Sequence, residues 1–123
     1  MKFNSLRPIL WTDQFEETIE FYTDILGFEL GEKNEDWGWA SVSRDNVELM
    51  FAKPNQHTVF IKPNFTGSFY INVQNVDEIW ESLKSDVKIC YELETFEWGM
   101  REFAIYDNNG FILSAYAQVF RRN

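Results

Sequence analysis

The spacing of apolar and polar positions changes period several times along the chain. Leu6-Arg7-Pro8-Ile9-Leu10-Trp11 is short and mostly apolar and reads as a strand. Phe15, Ile19, Tyr22 and Leu26 then recur at steps of three and four, which places them on one face of a helix. Gly27 closes that helix, where a left-handed residue is needed. Asp13 and Glu16, just ahead of the apolar face, have the spacing of a capping box. Residues 28–33, 37–43 and 46–53 read as three strands, with Arg44-Asp45-Asn46 as a turn between the last two.

The same order returns. Ser68-Phe69-Tyr70-Ile71-Asn72-Val73 opens the second half as a strand, and Val76, Ile79, Trp80 and Leu83 form a second helical stripe. Asn75 and Glu78 repeat the capping-box spacing. Strands are predicted over 87–93, 100–106 and 111–119, with Asn109-Gly110 as a hairpin signal because both positions tolerate positive φ. A shift of 61 residues lays Leu10 on Ile71, Gln14 on Asn75, Glu17 on Glu78 and Trp37-Gly38 on Trp98-Gly99. The connector, 53–67, holds Pro54 and Pro63 and a short strand candidate at 58–61. The pattern predicts an α+β fold of two βαβββ modules, 1–62 and 63–123, with helices on one sheet face.

Composition narrows the function. The 123 residues are 45% hydrophobic and 25% charged, the balance of one globular domain. A net charge of −9 argues against a nucleic-acid partner and against anionic membrane surfaces, both of which need clustered Lys and Arg. It leaves room for a neutral or cationic ligand, although negative charge also serves solubility alone. Cys90 is the single cysteine, which excludes an internal disulfide and a cysteine zinc cluster; its run Val87-Lys88-Ile89-Cys90-Tyr91 reads as a buried strand thiol. No run is apolar for long enough to span a bilayer, and Met1-Lys2-Phe3-Asn4-Ser5 lacks a signal-peptide core, so the expected location is the cytoplasm.

Several segments together resemble the vicinal oxygen chelate superfamily, which includes glyoxalase I, extradiol dioxygenases and bleomycin-resistance proteins. They are Leu10-Trp11-Thr12-Asp13, Phe21-Tyr22-Thr23-Asp24-Ile25-Leu26-Gly27-Phe28, Val47-Glu48-Leu49-Met50-Phe51, Trp98-Gly99-Met100-Arg101-Glu102-Phe103 and Asp107-Asn108-Asn109-Gly110. The resemblance implies a curved mixed sheet from the two modules around a cavity. In metal-using members four side chains converge there, typically His or Gln, Glu, His and Glu, and hold a divalent cation. Counted onto this chain, the four positions are Arg7, Glu48, Ser68 and Ser114. Only Glu48 is a metal ligand by type, and Arg7 puts a fixed positive charge where the cation would sit. The resemblance therefore implies no metal and no cofactor. His57, the single histidine, falls in the connector and reads as a surface or partly buried residue.

Strand alternation extends that face. Arg7 continues to Ile9 and Trp11, Glu48 to Met50, Ser68 to Tyr70 and Asn72, and Ser114 to Ile112 and Tyr116. Trp37, Trp39, Trp98 and Met100 fall at its rim. Aromatics on sheet faces are more often core than ligand contacts, and Arg7 and Glu48 can simply pair with each other. The pocket reading rests on the polar residues standing among the aromatics, since a dry core would not hold so many unpartnered groups. The preferred expectation is a homodimeric small-molecule binding protein that sequesters an aromatic or cationic ligand without catalysis, similar to bleomycin-resistance proteins. In it Trp37, Trp39, Trp98 and Tyr116 stack the ligand and Glu48 supplies counter-charge. The alternatives are a metal-dependent lyase, isomerase or dioxygenase with a non-standard ligand set, a metal-free enzyme with Glu48 as base, and a dimeric scaffold with no ligand.

Overall fold

Each half of the chain lays down a strand, a helix and three further strands. The computed structural model describes residues 1–57 and 59–119 and divides into two units, Met1–Pro63 and Asn64–Asn123. The architecture is α+β, with one four-stranded mixed sheet in each unit.

In the first unit β1 (Ile9–Trp11) runs parallel to β4 (Val47–Ala52), followed by antiparallel β3 (Trp39–Arg44) and β2 (Glu29–Asn34). The helical stripe lies on one face of this sheet. Phe15, Ile19, Tyr22 and Leu26 are buried together with Leu10, Ala40, Val42 and Phe51 from the strands. Tyr22 is fully buried, with its ring 5.5 Å from Phe28 and 4.8 Å from Phe51. The helix is not uniform: α1 (Phe15–Glu20) widens into a π-helical turn over Phe21–Ile25, where the Leu26 N–H donates to the Phe21 carbonyl. Gly27 at φ +74° ends it, and the Arg44 guanidinium donates to the Leu26 carbonyl at 2.7 Å, partnering one of the orphan acceptors.

The second unit repeats the topology. β5 (Ser68–Asn72) runs parallel to β8 (Ile112–Gln118), then β7 (Met100–Tyr106) and β6 (Lys88–Thr95) follow antiparallel. Helix α2 (Val76–Leu83) buries Val76 and Leu83 and sets Trp80 5.2 Å from Phe103 on β7. Arg101 ties α2 to β7 through Asp77 at 2.6 Å.

Several local expectations are corrected. Neither capping box forms. Gln14 is the N-cap of α1 and uses no side chain; buried Thr12 instead accepts from the Gln14 N–H at 2.9 Å, and Glu16 pairs with Lys33. Asn75 has φ +50°, whereas a capping side chain needs an extended backbone, and it too makes no cap bond. Of Asn109-Gly110 only Gly110 is left-handed, at φ +86°. The turn is built by the Asp107 carboxylate, which accepts from the N–H groups of Asn109 and Phe111 at 2.8 and 2.9 Å. Strand β3 starts at Trp39, leaving Trp37 in the preceding turn, and β1 starts only at Ile9. Residues 59–61 form no strand, and Thr58 lies outside the described residues. Cys90 is half-buried rather than buried, within β6.

Candidate functional site

Each helix covers one face of its own sheet, and the candidate side chains lie on the other. In the first unit the ladder sets Ile9 beside Met50 and Trp11 beside Ala52, with Trp39 on the far side of Ala52. Ile9, Trp11, Trp39 and Met50 therefore share the helix-free face. Arg7, two residues before β1, donates to Glu48 at 3.2 Å. Trp37 is 79% exposed in its turn and stands apart from this row.

In the second unit the ladder sets Ser68 beside Ile112, Tyr70 beside Ser114 and Asn72 beside Tyr116. The residue across from Tyr116 on β7 is Glu102, which lies outside the site residues expected from the sequence. Glu102 is 4% exposed and collects three donors. Tyr70 donates its hydroxyl to Oε1 at 2.7 Å, Trp98 donates its indole N–H to the same oxygen at 3.2 Å, and Tyr91 donates a short hydrogen bond to Oε2. Two stacked aromatic pairs are anchored in this way. Tyr70 lies on Tyr116 with centroids 4.0 Å apart and planes 9° from parallel, and Trp98 lies on Phe96 at 4.6 Å and 8°. The rings of Tyr70 and Trp98 stay 49% and 45% exposed. The face is thus a half-exposed aromatic platform whose ring edges are held by one carboxylate.

That arrangement shifts the phenols. Burial of the Tyr91 hydroxyl, then its hydrogen bond to Glu102, pushes its pKa up to about 12, with Ser114 pulling the other way. The same two causes in the same order raise Tyr70. Both phenols thus hold their protons more tightly when folded than in the unfolded chain, where the value is 10.0. The stability this confers is complete below pH 10 and is lost as the pH rises through the folded values. We expect urea midpoints to fall with rising pH between about pH 10 and pH 12, and Tyr91→Phe to flatten that fall. An equally steep loss in Tyr91→Phe would show that Tyr91 does not carry the linkage.

Glu102 was missed because the repeat drifts. Strands β1 and β5 are related by the 61-residue shift, and Leu10 and Ile71 pair with Phe51 and Ala115. The shift between β4 and β8 is therefore 64 residues. Ser114 is consequently the counterpart of Met50 rather than of Glu48. The next pairings, Ala40 with Phe51 and Phe103 with Ala115, give 63 residues for β3 against β7, so Glu102 stands where Trp39 stands in the first unit. Alternation from Met100, already placed at the rim, would have reached it in one step.

The four positions expected from metal-using relatives do not suit a cation. The guanidinium of Arg7 takes up Glu48, Ser68 faces Ile112 across the ladder, and Ser114 lies beside Tyr70. Among the described residues, no three of His, Cys, Asp and Glu come together. His57 is exposed in the connector. One carboxylate already paired with a guanidinium, and two hydroxyls, are not the donors a divalent ion needs.

Comparison with known proteins follows the fold. A glyoxalase/bleomycin resistance protein/dioxygenase from Nocardioides superposes with a TM-score of 0.79 at 17% identity, over 100% of this chain and 89% of that one. TioX from Micromonospora sp. ML1 gives 0.76 at 17% identity, over 94% and 99%. A lactoylglutathione lyase from Agrobacterium tumefaciens gives 0.69 at 14% identity, over 93% and 92%. A search of curated proteins finds no match. The family model for the Glyoxalase/Bleomycin resistance protein/Dioxygenase superfamily matches residues 3–114, and the chain belongs to that family.

Proposed function

We propose that the protein is a small-molecule binding member of its family, one that holds a planar aromatic ligand and does not transform it. The observation that supports this reading is the paired stacking around Glu102. Stacked and hydrogen-bonded rings are already ordered before a ligand arrives, so little side-chain entropy is lost on binding. Tyr70 and Trp98 present half-exposed faces, and each stacking contact contributes on the order of 1 kcal/mol beyond buried area. Among the described residues of that face, the hydroxyl of Ser114 faces the Tyr91 phenol rather than a base.

The test is a titration with N-methylacridinium, followed by intrinsic tryptophan fluorescence. Saturable quenching in the micromolar range is expected, with the probe recovered chemically intact. Trp98→Ala is expected to weaken binding about tenfold, the loss of one good stacking contact. No saturable change up to millimolar probe would refute the reading, as would conversion of the probe.

A further inference from the structure

The two carboxylates on the helix-free faces differ in one respect that bears on ligand choice. Glu48 is paired with Arg7, so its charge is cancelled within 3.2 Å. Glu102 is more deeply buried, yet its three partners are the neutral donors Tyr70, Tyr91 and Trp98. Among the described residues, no Lys or Arg forms an ion pair with it; Arg101, its neighbour in the chain, is engaged by Asp77 and Thr95. Three donors and no acceptor suit an ionised carboxylate and meet its hydrogen-bonding needs. They do not remove its charge. A buried negative charge without a cation is costly, and the fold retains it at the hydrogen-bonding edges of the two most accessible rings of the platform.

We infer that Glu102 is the specificity-determining counter-charge of this face, and that it selects planar ligands bearing delocalised positive charge over neutral ligands of the same shape. This rests on the binding function proposed above. Two effects act in the same direction. A cationic ring stacked on Tyr70 or Trp98 lies one aromatic layer from a ring whose own edge is hydrogen-bonded to the carboxylate, and attraction across that distance is appreciable in a partly desolvated site. The aromatic faces add a cation–π contribution. Screening at a half-exposed face reduces the sum to about a tenfold preference.

The experiment compares N-methylacridinium with acridine at about pH 8, where acridine is neutral and the ring systems match. Wild-type protein is expected to bind the cation about tenfold more tightly, with the ratio shrinking as salt rises. Glu102→Gln keeps an acceptor for Tyr70 and Trp98 and a donor for the Tyr91 oxygen, and is expected to bring the ratio of the two affinities near unity. If neither probe binds wild-type protein, the proposed function itself fails. If both bind equally, binding stands and charge selection is overturned. A full tenfold ratio persisting in Glu102→Gln, or a ratio abolished by Glu48→Gln instead, also overturns it. Should Glu102→Gln not fold, the wild-type ratio and its salt dependence decide alone: near unity refutes the inference, and a salt-sensitive tenfold preference supports it.

Discussion

Replacing Tyr22 with alanine is expected to remove about 3–5 kcal/mol of folding stability, the range for deleting a large aromatic from a packed interior. Tyr22 is fully buried and is the largest such side chain of the first unit. Its ring makes edge contacts with Phe21 at 5.7 Å and Phe28 at 5.5 Å, and a tilted contact with Phe51 at 4.8 Å. Phe51 sits on β4 between Leu10 of β1 and Ala40 of β3, so the ring also backs the centre of the sheet. The neighbouring backbone is held by the π-helical turn and by the Phe28 N–H donating to the Tyr22 carbonyl at 2.9 Å, which restrains collapse into the vacated space. Chemical denaturation with equal slopes in the two proteins would measure the loss. A shift below about 1 kcal/mol would mean that the ring is not the keystone of this layer.

That residue was legible before any coordinates. Phe15, Ile19, Tyr22 and Leu26 form one stripe because helical periodicity survives even where the winding loosens to a π turn. β7 was legible for a different reason: the apolar run Phe103-Ala104-Ile105-Tyr106 stops at the turn signal Asp107-Asn108-Asn109-Gly110, and the strand spans Met100–Tyr106. The failures share a different cause. A capping box needs a particular backbone angle at its first residue, and spacing alone does not report that Asn75 is left-handed. Asn109-Gly110 resembles a two-residue hairpin only if Asp107 is ignored, yet the Asp107 carboxylate organises the turn. Glu102 was obscured by treating the repeat as rigid. Register shifts between Ile89 and Tyr91 and between Tyr91 and Glu94 let the second sheet grow longer strands than the first, and a fixed 61-residue shift then sets Met100 against Trp39. Arg7 and Glu48 were read both as remnants of a ligand set and as a simple ion pair, and the 3.2 Å contact supports the second. The polar centre of interest thus moves from Glu48, on the helix-free face of the first unit's sheet, to Glu102, on that of the second unit's own sheet.

Moving the centre carries an energetic consequence that differs from ligand choice. Glu102→Ala is expected to destabilise the protein by about 2–4 kcal/mol, chiefly because it leaves the half-buried Tyr91 hydroxyl without its acceptor; the Trp98 indole, nearly half exposed, can donate to water instead. Tyr70 suffers less, since half of its ring is already exposed and its hydroxyl can turn to solvent. Tyr91→Phe alone is expected to cost about 1–3 kcal/mol, for it strips a donor from a buried carboxylate that has no cation to fall back on. Removing both ends of that bond leaves no orphan Tyr91 donor and no under-satisfied charge. The double variant should therefore be more stable than the two single losses predict, by a coupling energy of about 1.5–3 kcal/mol. Urea unfolding of the four proteins at neutral pH measures this coupling, and additivity to within about 0.5 kcal/mol would show that Glu102 and Tyr91 do not depend on each other.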